Sequence, residues 1–227
     1  MGCWSAENAT NAYLKTLRMG QNAKEPDTTE FISALAAGNN AQLMVVAPCE
    51  NSATSVVLAL VAAAHQTGGR VICILNNHHQ LESSKQTLGG FEACPVEFVV
   101  GEPQNLLLNH YSEADFVLID CNLENHEGIL AAVEGSSYRK RSGAVVVGYN
   151  AFANGSWWSS RGKTQLLPIG EGLLVTRVAA NSGKIDRSNS GGFGKRISSH
   201  WVVKVDECTG EEHVFRVRVP QGKRIEA

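Results

Sequence analysis

Between residues 42 and 149 the chain repeats one pattern: a short apolar run, a turn, and a longer segment before the next run. The runs are "QLMVVA" (42–47), "RVICIL" (70–75), "VEFVV" (96–100), "DFVLI" (115–119) and "GAVVVGY" (143–149). Strands that are apolar on both faces have to be covered on both faces, and a parallel sheet flanked by helices supplies that cover. The intervening segments fit. "TSVVLALVAAAHQ" (54–66) is apolar nearly all round and reads as a buried helix, while "HQLESSKQTL" (79–88) is more polar and "ENHEGILAAVEG" (124–135) lies between the last two strands. The pattern predicts a doubly wound α/β sandwich.

Two helices precede this core. Ser5 is a suitable N-cap for a segment that puts Ala9, Tyr13 and Leu17 on one face. Asp27 and Glu30 have capping-box spacing, and "FISALAAG" then runs to a stop at Gly38. After Asn150 the rhythm breaks. "AFANGSWWSSRGK" reads as a Gly/Ser-rich loop, and "TQLLP" and "GLLVTRVA" (172–179) read as strands with no helix between them. Such a pair should be antiparallel at the sheet edge. The expected organisation is an α/β domain over 1–180, a flexible basic linker over 181–199 and a β-hairpin over 200–227, with its turn at Thr-Gly in "WVVKVDECTGEEHVFRVRV".

Composition narrows the classes. The 227 residues are 43% hydrophobic and 19% charged, with a formal charge of −2, which gives no overall pull toward nucleic acid or membrane. Residues 183–227 are mildly basic, with 9 basic against 6 acidic side chains, and the rest of the chain is acidic. The six cysteines show no C-x-x-C pair, and Cys73 and Cys121 fall inside apolar patterns, so buried reduced thiols are expected. No run reaches transmembrane length, and the Met1-Gly2-Cys3 start lacks the Ser or Thr of a myristoylation signal, having Ala6 there. An intracellular protein, cytoplasmic or nuclear, is the expectation.

In a doubly wound sheet, ligands sit beyond the carboxyl ends of the strands. After the first strand stands "APCENS" (47–52), with Pro48 and none of the glycines a nucleotide-type cofactor normally needs for close backbone approach. After the second stands Asn76 where a ribose-binding acid is expected, and after the third Glu102. Asp120 ends the fourth strand and Asn150 the fifth. Neighbouring parallel strands carry these last two, so both can converge on an oxygen-seeking cation, although two oxygen ligands make a weak site.

An order of parallel strands closed by an antiparallel pair resembles the class I S-adenosylmethionine-dependent methyltransferase arrangement. "FVLIDCNLENH", "GYNAFANG" and "LPIGEGLLVTR" resemble segments of the caffeoyl-CoA O-methyltransferases, as do "EFISALAAGNNAQLMVV" and "VEFVVGEPQNLL". The whole chain, including "GCWSAENATNAYLKTL" and "TGEEHVFRVR", resembles the plant domain-of-unknown-function family 1442, whose members are methyltransferase-like. The resemblance implies S-adenosylmethionine as cofactor and a divalent cation held by a carboxylate after strand four and an Asp-Asn pair after strand five. Asp120 and Asn150 match that set, but Tyr149 replaces the Asp. The cofactor-loop glycines fall on Pro48 and Ser52, the acid before them on Val46, and the ribose acid on Leu75 or Asn76. Glu50 stands in the same loop, in reach of replacing one lost carboxylate.

Two readings follow. In the first, the scaffold is retained with an eroded cofactor and metal site, and the protein is a non-catalytic binding or regulatory module. In the second it is an active O-methyltransferase on a small hydroxylated acceptor: Asp120 and Asn150 orient the acceptor, and backbone amides from Ala47 onward, with Glu50, Asn76 and Glu102, hold the cofactor. Asp120 also has a plain structural reading, as an acceptor for backbone N–H groups in "CNLENH". Trp157 and Trp158, beside Arg161 and Lys163, are the expected face for a protein or small-molecule partner, with packing of that loop on the hairpin as the alternative. A nucleic-acid role for these tryptophans and the basic tail would require steeply salt-dependent affinity.

Overall fold

The computed structural model describes residues 4–19, 28–49, 53–77, 79–82, 96–137, 143–154, 162–180, 198–205 and 212–219. They fall in two compact units, Met1–Ser182 and Gly183–Ala227. The first contains helices α1 (Ala6–Met19), α2 (Thr28–Gly38) and α3 (Ala53–Thr67), then α4 (Pro103–Asn109), α5 (His126–Ser137) and the short α6 (Ala151–Asn154). Its strands are β1 (Leu43–Ala47), β2 (Arg70–Leu75), β3 (Val96–Val100), β4 (Phe116–Asp120), β5 (Ala144–Tyr149), β6 (Gly162–Leu167) and β7 (Leu173–Val178). The second unit's described residues are β8 (Ser198–Val205) and β9 (Glu212–Val219), an antiparallel pair running from Ser198↔Val219 to Val205↔Glu212.

The seven strands form one sheet in the order β3-β2-β1-β4-β5-β7-β6. All pairs from β3 to β5 are parallel, and β7 runs antiparallel to both β5 and β6. This is the class I methyltransferase-like sandwich that the apolar runs and the helix-free final pair predict. The chain works outward from β1 to β3, then crosses back to β4, so the switch point lies between β1 and β4.

Both faces of the central strands β1, β2, β4 and β5 are dry, which explains why these strands show no polar alternation. The edge strands β3 and β6 are only partly buried. Met44 and Val46 of β1, with Phe116 and Leu118 of β4, join α1, α2 and α3 in one core. Their neighbours Val45, Ala47, Val117 and Ile119 face the other way, into a core closed by Leu107 of α4 and Ile129, Leu130 and Val133 of α5. Alternate residues of one strand thus serve two cores.

Several local expectations change. Ser5 caps α1 as expected, its Oγ accepting the Asn8 N–H at 3.2 Å. The buried face of α1, however, is Ala9, Ala12 and Thr16, with Tyr13 and Leu17 only half-buried. Small side chains at that seam let α1 lie close to α2 and α3. A helix not expected from the sequence follows Glu102: Pro103 starts α4 at its first turn, where a missing N–H and a fixed φ favour a helix. The helix expected from Glu124 begins at His126. The helix expected over 79–88 is described only at 79–82, and Asp27 lies outside the described residues. Among the described residues no helix is long and apolar enough to cross a membrane.

Candidate functional site

Asp120 is the last residue of β4 and is fully buried. A buried carboxylate needs donors, and three N–H groups from three different strand ends supply them. The Cys49 N–H, just past β1, donates to Oδ2 at 3.2 Å. The Asn122 N–H, in the turn after β4, donates to Oδ1 at 3.0 Å, and the Asn150 Nδ2, just past β5, donates to the same oxygen at 2.9 Å. Asn150 reaches it from a left-handed backbone conformation, φ 59°, which Asn tolerates better than most residues. The carboxylate therefore ties the β1, β4 and β5 ends together. A second acid, Asp115, does related work at the other end of β4, accepting the Gln42 and Leu43 N–H groups of β1 at 2.9 Å and 3.1 Å.

Beside this knot a cavity of about 350 Å³ opens at the carboxyl ends of β1 to β4. Asn76 and Glu102 both line it. They come together because β2 and β3 are paired to their ends, Leu75 against Val100, and the Gly101 N–H continues the ladder to the Leu75 carbonyl at 2.9 Å. Cys49, Asn122 and Glu124 add polar wall, and Pro103, Leu123 and Ile129 add apolar wall. The rim is cross-tied where Asn125 Nδ2 donates to Gln104 Oε1 at 2.9 Å, joining the turn before α5 to the first turn of α4. Glu102 in turn accepts from Asn105 Nδ2. Behind Asn76, Gln80 Oε1 accepts the Asn76 N–H at 2.9 Å.

Residues 2–217 match the family described as "Protein of unknown function (DUF1442)". The chain belongs to this family. No curated protein matches the sequence. Among solved structures, the family member is similar to a methyltransferase from Geobacter sulfurreducens (19% identity, TM-score 0.53, 77% of this chain and 90% of that one). It is also similar to the S-adenosylhomocysteine-bound methyltransferase PaMTH1 of Podospora anserina (12%, TM-score 0.55, 77% and 89%). A third likeness is to the S-adenosylmethionine-bound O-methyltransferase TomG of Streptomyces achromogenes (16%, TM-score 0.51, 78% and 91%). At these identities the likeness establishes the methyltransferase-like fold.

The residues do not fit the divalent cation that the resemblance implies. Asp120 Oδ1 already takes two N–H donors, and Asn150 turns its amide nitrogen, a group that cannot ligate a cation, toward the carboxylate. Tyr149 is 3% exposed and packs in the core, so nothing at its position replaces the missing carboxylate. Among the described residues no three His, Cys, Asp or Glu side chains are grouped to hold a metal. Fit to S-adenosylmethionine is partial. The wall from Asn76 to Asn125 suits hydroxyl groups and a ring, but the described lining offers no cation for the amino-acid carboxylate. Ala47 is fully buried in β1. Glu50, Trp157, Trp158 and Arg161 lie outside the described residues.

The sequence reading missed the contribution of α4 and of Asn122, Glu124 and Asn125. Glu102-Pro103 shortly before the run Leu106-Leu107-Leu108 was the available signal for α4. The thiols behind the site are inert: burial raises Cys73 to about 12 and raises Cys121, helped by the Asp120 charge, to about 12.

Proposed function

We propose that this chain is a methyltransferase-fold binding module, a scaffold whose carboxyl-end crevice takes a small ligand without transferring a methyl group. One observation carries the reading: Asp120, the acid a metal-dependent relative would offer to a cation, accepts hydrogen bonds from Cys49, Asn122 and Asn150. A carboxylate so engaged is a strut. The glycine-free start of the cofactor loop points the same way. The test is calorimetric titration with S-adenosylmethionine and S-adenosylhomocysteine, with and without Mg²⁺, beside a labelled methyl-transfer assay. The expected result is no Mg²⁺ dependence and no transfer. Methylation of a defined acceptor at an ordinary enzymatic rate, abolished in a folded Asp120→Ala variant, would sink it.

A second reading has its own support in the cavity that Asn76 and Glu102 share. In it the protein is an S-adenosylmethionine-dependent O-methyltransferase, with Asp120 and Asn150 orienting a small hydroxylated acceptor. Micromolar, saturable binding of S-adenosylmethionine would favour it. On the first reading the output is a partner protein, and the aromatic pair Trp157 and Trp158 is the face to substitute in a partner search.

A further inference from the structure

We infer that the outer edge of β6 takes an extended acidic segment of another protein, which joins the sheet as an eighth strand. Position is the first argument. β6 ends the strand order, three places from β4, and among the described residues only β7 pairs with it. Its register runs unbroken from Gly162↔Val178 to Leu167↔Leu173, with no bulge and no internal proline, and none of its residues is fully buried. Alternate residues of such a strand turn their N–H and C=O groups outward, which makes a template for another strand. The Thr164 and Thr176 hydroxyls, bonded at 2.8 Å, hold β6 to β7 before any partner arrives and so lower the ordering cost.

Charge identifies the partner. Lys163 stands directly across from Arg177, both are exposed, and among the described residues neither has a hydrogen bond or an ion pair. Like charges in cross-strand register repel. A lysine on an edge commonly guards against strand addition, but that role needs no second cation behind it. Residues 1–182 carry 16 acidic side chains against 11 basic ones, so acids for an internal pair were available. The opposite edge of the sheet differs: the charge on β3 is Glu97, which already accepts the Tyr111 hydroxyl at 3.2 Å. Side-chain alternation then gives the pattern of the incoming segment. Lys163 and Gln165 share one face of β6, and Leu166, 51% exposed, lies on the other. An antiparallel segment would set an apolar residue against Leu166, then acids against Gln165 and Lys163.

The probe is the capped peptide TLEVET, with TLKVKT as its charge-reversed control, each carrying a neutral dye. Both are titrated into the full chain at low salt by fluorescence anisotropy, and amide hydrogen exchange is followed over 163–167. TLEVET should bind about fivefold or more tighter than TLKVKT, and the difference should fade as salt rises. Alternate amides of β6 should exchange more slowly in its presence. The variant K163E/R177E keeps like charge facing like at two exposed positions, so it should fold and should reverse the preference. Equal binding of the two peptides, an unreversed preference, or binding without protection of β6 amides would each overturn the inference. So would failure of both peptides to bind at millimolar concentration. Protection of the same amides in the chain alone, rising with protein concentration, would assign the edge to a second copy and overturn it too. Tighter binding of an oligothymidylate, lost in K163E/R177E, would assign the two cations to nucleic acid instead.

Discussion

Replacing Asp120 separates a strut from a metal ligand because the two roles predict opposite signs. In Asp120→Ala the Cys49 N–H, the Asn122 N–H and the Asn150 amide all lose their acceptor at a fully buried position. Each stranded donor costs about 1–3 kcal/mol, less where water reaches it, so the sum is about 3–5 kcal/mol after partial relaxation. At 227 residues that lowers Tm by about 10 °C. Asp120→Asn keeps one oxygen but turns an NH₂ toward one of the donors, so its loss should be intermediate, about 1–3 kcal/mol. A carboxylate held ready for a cation behaves otherwise. It is under-satisfied without the ion, and its removal leaves the metal-free protein as stable or more stable. Urea denaturation in EDTA reads the difference as a midpoint shift at unchanged slope. An Ala variant within about 0.5 kcal/mol of the parent, or above it, would refute the strut argument.

Other parts of the structure give sharp expectations. Cys73 and Cys121 should resist iodoacetamide at pH 8 while Cys49, which is partly exposed, is modified; peptide mass mapping checks this, and modification of all three at equal rates would contradict it. Both buried thiols have folded pKa values near 12, above the ordinary 9.0, so their contribution to stability is full below pH 9 and is lost as pH rises toward 12. Denaturation midpoints should fall over that alkaline window, and less so in a Cys73→Ala, Cys121→Ala double variant. Gly172→Ala should destabilise by about 2 kcal/mol, because φ is +87° and the new Cβ would lie 2.9 Å from the Phe152 ring; an unchanged Tm would contradict it. Gly38→Ala places a Cβ 2.2 Å from the Trp4 indole, which must leave its seat on α2; tryptophan emission should shift to the red, and a Trp4→Phe background should abolish the shift.

Legibility followed how local each determinant is. The central parallel strands were readable because a strand dry on both faces, such as Val45–Val46 or Val117–Leu118, leaves no other arrangement for its side chains. The edge pair was readable because too little chain separates β6 from β7 for a crossover helix. The seam of α1 was misread by ranking hydrophobicity above size: Tyr13 and Leu17 are more apolar, but Ala12 and Thr16 permit the closer approach. At the site, the position of Asp120 at a strand end was visible, and Asn122 lies in its own turn. Cys49 and Asn150 are 71 and 30 residues away, and only the order of strands brings them to one carboxylate. The cavity depended on the same order, since Asn76 and Glu102 meet through β2–β3 pairing.

The two acids bounding β4 also hold the strand ends together. At a switch point the chain leaves β1 and β4 in opposite directions, so nothing local holds those strand ends together beyond their last ladder hydrogen bond. Asp115 grips β1 at one end through Gln42 and Leu43, and Asp120 grips it at the other through Cys49. In the metal-binding arrangement the resemblance implies, a cation would also draw the strand-four acid and the strand-five loop together. Here the Asn150 amide makes that connection directly at 2.9 Å, supplying the positive end of a dipole where an ion would supply a full charge. These hydrogen bonds tie the strand ends beside the cavity walls contributed by Asn76, Glu102 and the Asn122–Asn125 turn. On the proposed reading, chelation should leave the affinity of the crevice for a ligand unchanged, and a fall in affinity in EDTA would contradict it.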